Sequence, residues 1–341
     1  MTEPWERSDD YADFDLNFTA PDFEGAQAAG PPLPPSYGAA LVLYALAFIL
    51  GVPGNVAVAW AATGKLRHQL SNIWFLNLAV ADLLCCLALP FLALPLARDH
   101  HWPLGRFACK LLSSLAVLNM FASVLLLTAL SADRCALVTW PGWCQRRRTP
   151  VLARGVCAAA WGLAGLLTVP SFVFRTTRAD AFSDKETCVL DYGTAGRRAE
   201  LLAAALRLLC GFLLPVTAMV VCCGLLLARL HAAGHRPPRP AAAALAMAGC
   251  FVGCWLPYHA VLLALAAHRP GAAAYARAQA AQPLAVALAY LNSAADPLLY
   301  ALVGPGLPCA PCARWAPGPA AASPSPPASP AASTAVTEAG L

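Results

Sequence analysis

The apolar residues of this chain form seven long stretches, separated by short polar segments. Each stretch holds 20 to 28 residues, which is enough for a helix to cross about 30 Å of hydrocarbon. The short alternating strands of a membrane barrel do not produce continuous apolar runs of this length. The pattern therefore predicts an all-α membrane protein, a seven-transmembrane helix bundle. The predicted spans are 39–62, 72–97, 111–132, 155–174, 201–228, 241–267 and 280–303.

Composition supports the same fold class. Hydrophobic residues make up 59% of the chain and charged residues 12%, whereas soluble domains have about 45–50% and about 25%. A soluble protein of 341 residues could not cover its surface with so few charges. We predict an acidic tail at 1–38, a seven-helix domain at 39–303 and a Pro/Ala/Ser-rich tail at 304–341. No apolar core of a cleavable signal peptide appears in 1–38, so the first span is expected to direct insertion.

The orientation of the bundle follows from signals other than loop charge. With the N-terminus outside, 11 of the 23 Lys and Arg residues lie inside, so the positive-inside rule does not decide. The N-terminal tail has eight acidic residues and one basic residue, and Asn17-Phe18-Thr19 is an acceptor sequence for N-glycosylation. Cys109 and Cys188 then both fall on the outer side, where an oxidising compartment would allow them to pair. We therefore predict the N-terminus outside and the C-terminus inside; the alternative for Asn17 is a chance tripeptide.

Polar residues within the spans are functional candidates, because ionisable groups are costly in a bilayer. Two carboxylates lie mid-span, and amides and hydroxyls lie at similar depths on other spans. Together they would form one pocket able to hold a small hard cation such as sodium. The alternative is a hydrogen-bond network that only joins helices, and no other cofactor is predicted. These residues are Asn55, Asp82, Asn119, Ser123, Asn292, Ser293 and Asp296.

Several residues indicate a bundle that can bend and switch. Asp133-Arg134 ends the third predicted span at its inner face, where an Arg can exchange one partner for another. Trp255 stands two residues before Pro257. Proline within a helix removes a backbone hydrogen bond and permits a kink. Such prolines are Pro53, Pro90, Pro170, Pro215, Pro257 and Pro297.

The signature residues of these helices resemble the rhodopsin-like G protein-coupled receptors over about 39–303. They are Asn55, Asp82, Asp133-Arg134, Trp161, Pro215, Cys254-Trp255-Leu256-Pro257 and Asp296-Pro297-x-x-Tyr300. The chain lacks the third-helix Asp of amine receptors and the retinal-binding Lys of opsins, and has Ala116 and Tyr290 at those positions. Segments such as HHWPLG and VLNMFASVLLLTALSADR resemble the chemotactic receptors for complement component 5a, the anaphylatoxin.

This resemblance implies a basic protein ligand that binds at two places. The first is the acidic tail, where Tyr11 resembles the sulfated tyrosines of the family. The second is the bundle, where Arg175 and Arg207 match positions that meet the ligand's terminal carboxylate. Asp191 and Glu200 match acidic positions near the pocket mouth, and Gln282 replaces an Asp of the family. The acidic tail residues predicted to contact the ligand around Tyr11 are Asp9, Asp10, Asp13 and Asp15.

The resemblance also implies signalling from the plasma membrane through an inhibitory-class heterotrimeric G protein. Trp255 and Pro257 would let helix six swing, the Asp133–Arg134 pair would loosen, and Tyr300 would rotate inward. Cys223 replaces the tyrosine usual in the fifth helix. In the C-terminal tail, Cys309 and Cys312 are candidates for palmitoylation. Candidate phosphorylation sites for arrestin recruitment are Ser323, Ser325, Ser329, Ser333, Thr334 and Thr337; the alternative is an unmodified tail.

Other functions remain as alternatives at this point. The family includes a non-coupling scavenger or arrestin-biased complement 5a receptor, which usually lacks the Arg present here as Arg134. A formyl-peptide-like chemoattractant receptor is similar around Asp133-Arg134-Cys135. A transporter would be expected to show inverted repeats, and none is visible. No nucleophile and base converge, so enzyme activity is not predicted, and neither is a nucleic-acid partner.

Overall fold

The protein is built around a bundle of membrane-spanning helices. The computed structural model describes residues 34–63, 70–98, 100–180, 185–193, 196–268 and 271–301, without the side chains of 197, 200, 239 and 240. Within these residues, seven helical stretches are long and apolar enough to cross a membrane. The predicted seven-helix architecture is therefore confirmed. We number them spans 1 to 7: Pro35–Thr63, Ser71–Ala97, Gly105–Thr139, Pro150–Phe174, Leu201–Ala232, Ala241–Ala267 and Ala273–Ala301.

Three spans belong to composite or longer helices. Span 2 consists of Ser71–Leu92 and Leu94–Ala97, and span 6 belongs to the helix Arg239–Ala267. Span 5 joins an α-helix, a π-helical turn and a second α-helix, which are Gly196–Leu208, Leu209–Leu213 and Leu214–Ala232. The π-helical turn precedes Pro215, which has no N–H to donate to the helix. Within the described residues, the other elements are a short helix, Pro141–Arg147, and two strands, β1 Arg175–Ala179 and β2 Glu186–Leu190.

Several helices are longer than the apolar runs that predict them. Span 3 is helical from Gly105 to Thr139, whereas the prediction was 111–132. Span 7 begins at Ala273 rather than 280, and its described part is Ala273–Ala301. Hydrophobicity marks only the part of a helix that lies in hydrocarbon, while backbone hydrogen bonds continue through polar residues at its ends.

The main buried core draws mostly on spans 2 to 6, and a second buried cluster lies between spans 1, 2 and 7. Phe121, Leu130 and Phe251 are buried in the core. Small residues allow spans 1, 2 and 7 to approach each other closely: a Cβ on Gly51 would collide with the Cys86 sulfur. Close contact of small residues is a main source of helix association in lipid, where helices gain no hydrophobic energy by meeting.

One end of the bundle, which we call the disulfide end, carries the β1–β2 hairpin. Antiparallel β1 and β2 pair from Arg175↔Leu190 to Ala179↔Glu186. A disulfide joins Cys109 of span 3 to Cys188 of β2, so the predicted pairing is confirmed. Lys110 donates hydrogen bonds of 3.0 Å to the carbonyls of Phe172 and Val173, which satisfies the last turn of span 4. The opposite end carries Arg134, and we call it the Arg134 end.

Candidate functional site

Two arginines approach the bundle interior from different elements at the disulfide end. Arg175 is the first residue of β1, directly after span 4, and Arg207 precedes the π-helical turn of span 5. Arg175 lies in electrostatic range of Tyr290 on span 7, and Arg207 in range of His259 on span 6. Arg207 forms no ion pair with any side chain that the structure describes. An arginine in an apolar helix without a counter-ion favours binding of an anion.

The acidic residue Asp191, predicted to face the ligand, has partners within the hairpin region. Its carboxylate lies 3.4 Å from Arg178 of β1 and accepts a 2.8 Å hydrogen bond from the Gly193 N–H. Both charged side chains are about 40% exposed, at 42% and 41%, so this is a surface ion pair of small energetic weight. Arg178 was not among the predicted residues, because the register of a hairpin is not evident from sequence.

The other predicted ligand residues are less fully described. Gln282 is half-buried on span 7. Glu200 lies on the helix Gly196–Leu208, but its side chain is outside the described part. The following predicted residues lie outside the described residues altogether: Asp9, Asp10, Tyr11, Asp13, Asp15, Asn17, Cys309, Cys312, Ser323, Ser325, Ser329, Ser333, Thr334 and Thr337.

The predicted polar residues of four spans meet in one buried network at mid-depth. Ser123 donates 3.3 Å hydrogen bonds towards Asp82 Oδ1 and Asn119 Oδ1. Asn119 in turn donates to Ser293 Oγ at 3.2 Å. On spans 1 and 7, Asn55 donates to the Ser293 carbonyl at 2.9 Å, and Asn292 donates to Asp296 Oδ2 at 3.3 Å. The predicted grouping of these side chains is thus present.

Three buried oxygens of this network accept no hydrogen bond from described protein atoms: Asp82 Oδ2, Asn292 Oδ1 and Asp296 Oδ1. Carboxylate and amide oxygens are the ligands preferred by hard cations. No three side chains among His, Cys, Asp and Glu converge on a metal position within the described residues. A cation here would therefore depend on amide and hydroxyl oxygens as well as on the two carboxylates.

Trp255 belongs to an aromatic cluster between spans 5 and 6. Its ring packs 5.9 Å from Phe251 and 5.7 Å from Tyr258, measured between ring centroids. His259 is buried, 6.4 Å from Trp255 and 4.7 Å from Phe212. Sequence reasoning predicted Trp255 and missed His259, although a histidine within an apolar span was a usable signal. Pro257 lies inside the same helix, between Trp255 and His259 in sequence.

At the Arg134 end, the predicted ion pair has a third member. Arg134 lies 3.6 Å from the Asp133 carboxylate, and Arg148 donates to the same carboxylate at 2.7 and 3.0 Å. Arg148 stands two residues before span 4 and was not predicted, because its distance from Asp133 in sequence is not a helical spacing.

The remaining predicted switch residues lie near this end, on spans 5 and 7. Tyr300 packs against Phe75 of span 2, with the ring centroids 4.5 Å apart. Pro297 is buried beside Gly54, where an added Cβ would meet its ring. Cys223 packs against the bundle core as a half-buried residue. The signature Trp161 donates a 3.0 Å hydrogen bond to Asn77 of span 2, a residue that the sequence did not single out.

Comparison with known proteins agrees with this geometry. The profile of the 7 transmembrane receptor (rhodopsin family) matches residues 54–300. The chain is 45% identical to the C5a anaphylatoxin chemotactic receptor 1 of Oryctolagus cuniculus over 275 residues, which are 80% of this chain and 79% of that protein. It is 40% identical to the receptor of the same name from Rattus norvegicus over 298 residues, covering 87% and 84% of the two chains.

The receptor of that name from Homo sapiens is 41% identical over 268 residues, covering 78% of this chain and 76% of that protein. Identity at this level across most of both chains extends well beyond the signature residues of the helices. The chain is a multi-pass receptor of the plasma membrane rather than an enzyme, and it belongs to the rhodopsin family of seven-transmembrane receptors.

Proposed function

We propose that this chain is a receptor for complement component 5a, with the disulfide end outside the cell and the Arg134 end inside. Three relatives bear the name of that ligand. The observation that carries the proposal is Arg207, a half-buried cation in span 5 without a described counter-ion. The terminal carboxylate of a peptide inserted from the disulfide end would supply the missing anion.

The ligand would bind in two steps. The tail has eight carboxylates against one arginine, and this charge would attract a basic protein and orient it over the bundle. Sulfation of Tyr11 and a glycan on Asn17 belong to this outer segment. The ligand's C-terminus would then enter between spans 5, 6 and 7, near Arg207, His259 and Gln282. Asp191 would contribute only weakly to ligand affinity, because it is already paired with Arg178 at the surface.

A ligand in this position would act through the aromatic cluster below it. Contact between the ligand and the side chains of His259 and Trp255 would shift span 6 about Pro257. This movement would open the Arg134 end to an inhibitory-class G protein. Ligand binding raises the fraction of receptors in the open state only if that state binds the ligand more tightly than the closed state does. Phosphorylation of serines and threonines in the C-terminal tail would recruit arrestin, and Cys309 and Cys312 would attach that tail to the membrane.

The buried network would hold a sodium ion in the resting state. Asp82 and Asp296 would supply charge, and Asn119, Ser123 and Asn292 neutral oxygens; Asn55 would brace Ser293. A bound cation would compensate two carboxylates that are buried at 0% and 3% exposure. The three unsatisfied oxygens support this assignment over a network that only joins helices.

The test is nucleotide exchange on an inhibitory-class G protein, in membranes with confirmed surface expression, stimulated by purified complement component 5a. A saturable response is expected. Ligand binding without exchange would instead support the non-coupling scavenger or arrestin-biased receptor. Absence of binding would reject the ligand assignment, and formyl peptides would then be tested as agonists of a chemoattractant receptor.

A further inference from the structure

A concave site lies on the outside of the bundle at the Arg134 end, opposite the proposed ligand entrance. It is a groove of about 580 Å³ between spans 2, 3 and 4 and the short helix Pro141–Arg147. Trp74 and Ala153, both buried, line its depth. Trp140 and Trp143 line it as well, and they are 60% and 51% exposed. Leu152 and Val156 of span 4 continue the same lining.

The position and lining of the groove suit an acyl chain of the surrounding bilayer. From the N-cap Thr149 into the first turns of span 4, its lining runs to Val156, about 10 Å at about 1.5 Å per residue. Nearly all of its lining is apolar. Tryptophans at the end of a span typically mark the boundary between hydrocarbon and headgroups. The groove therefore begins at headgroup level and continues into the hydrocarbon.

The charge beside the groove is strongly positive. Between residues 129 and 156 the chain has five arginines and one acidic residue, Asp133. Asp133 lines the groove, but Arg148 binds its carboxylate through two hydrogen bonds, so its charge is compensated. Arg146 and Arg147 are exposed on the short helix. Arg147 follows Trp143 by four residues, which places both on one side of that helix.

We propose that this groove binds an anionic glycerophospholipid from the surrounding bilayer. One acyl chain would fill the apolar groove between Trp74, Trp143 and Val156. The headgroup phosphate and its neighbouring negative charge would lie on Arg146 and Arg147. An uncharged sterol would leave these arginines unused, and a free anion would leave the apolar volume unused. Basic pockets between spans bind anionic headgroups in other membrane proteins.

The test is native mass spectrometry of the full-length purified receptor in detergent, titrated with phosphatidylserine or phosphatidylcholine of identical acyl chains. We expect preferential retention of one phosphatidylserine. The double variant R146Q/R147Q should lose about thirtyfold in this preference, the contribution expected of two basic residues at an anionic headgroup. The control R229Q/R236Q removes the same charge from exposed positions at the end of span 5 and beyond it, and should retain the preference.

A second pair of variants tests the groove separately from the charge. Ala132→Phe fills the groove from an exposed position, whereas Ala158→Phe adds the same bulk to an exposed position of span 4 outside the groove. Ala132→Phe should abolish the retention of phosphatidylserine, whereas Ala158→Phe should preserve it. The melting temperature of both variants should equal that of the wild type. Equal retention of both lipids, equal loss in both charge variants, or displacement by glycerophosphoserine without acyl chains would overturn the proposal.

Discussion

Arg148 holds the Asp133 carboxylate through two hydrogen bonds of 2.7 and 3.0 Å, closer than the neighbouring Arg134 at 3.6 Å. The side chains of Asp133 and Arg148 are 8% and 16% exposed. This bidentate geometry ties the segment before span 4 to the end of span 3, because planar guanidinium and carboxylate groups match in two bonds. Movement at the Arg134 end therefore involves three charged residues rather than the two that the sequence suggests.

The Asp133–Arg148 pair should contribute measurably to stability. Arg148→Gln removes two hydrogen bonds to a charged group in a largely buried site, a change that costs about 1.5–3 kcal/mol. We expect a melting temperature several degrees lower by circular dichroism of the purified receptor. Arg229→Gln, an exposed arginine at the end of span 5, is the matched control and should have little effect. An unchanged melting temperature for Arg148→Gln would show that the pair is energetically unimportant.

Arg207 should distinguish a free carboxylate from an amide at the ligand's C-terminus. A peptide of the ligand's C-terminal residues should bind the wild type more tightly as the free acid, by about tenfold for a charge-assisted contact. Arg207→Gln should reduce this preference, while Arg198→Gln, an exposed arginine on the same helix, should keep it. Competition binding measures both peptides. If Arg207→Gln still binds the free acid as much more tightly than the amide as the wild type does, then Arg207 does not bind the ligand's carboxylate.

Sodium should stabilise the receptor through Asp82. A sodium concentration about five times the dissociation constant increases the free energy of unfolding by about 1 kcal/mol. This gain raises the melting temperature by about 2–4 °C. Replacing sodium chloride by choline chloride at equal ionic strength should remove this gain. Asp82→Asn should abolish the difference, whereas Asp191→Asn at the surface should retain it. The sodium assignment fails if the two salts give equal melting temperatures in the wild type.

The contact between Gly51 and Cys86 should limit how closely spans 1 and 2 pack. Gly51→Ala places a methyl group onto the Cys86 sulfur and should destabilise by about 1–3 kcal/mol through overpacking. Cys86→Ala should recover part of the loss when combined with it, as a double-mutant cycle of melting temperatures would show. Gly162→Ala is the control, because an added Cβ there meets no atom within 4 Å. Additive effects of the two substitutions would exclude direct contact as the cause.

The fold and the candidate functional residues could be predicted from local features of the sequence. Seven continuous apolar runs predict seven spans, since nothing but a helix satisfies its backbone within a single apolar segment. Asp82, Asp296, Arg134 and Trp255 could be singled out individually, because polar or bulky residues are conspicuous in apolar helices. The grouping of Asp82 and Asp296 with the amides and hydroxyls of the buried network was also predicted, from their equal depth in the membrane and the cost of leaving such groups alone.

The partners of these residues were a different matter. Three contacts could be identified only from the structure. Arg148 binds Asp133, Trp161 donates a hydrogen bond to Asn77, and His259 packs beside Trp255. A span surrounded by lipid is apolar on every side, so its sequence has no amphipathic face to show which neighbour it contacts. The sequence by itself determined the number and depth of the helices and their chemical groups. Only the tertiary structure decided which faces meet, because packing of small side chains fixes each helix's rotation and leaves no periodic signal in hydrophobicity.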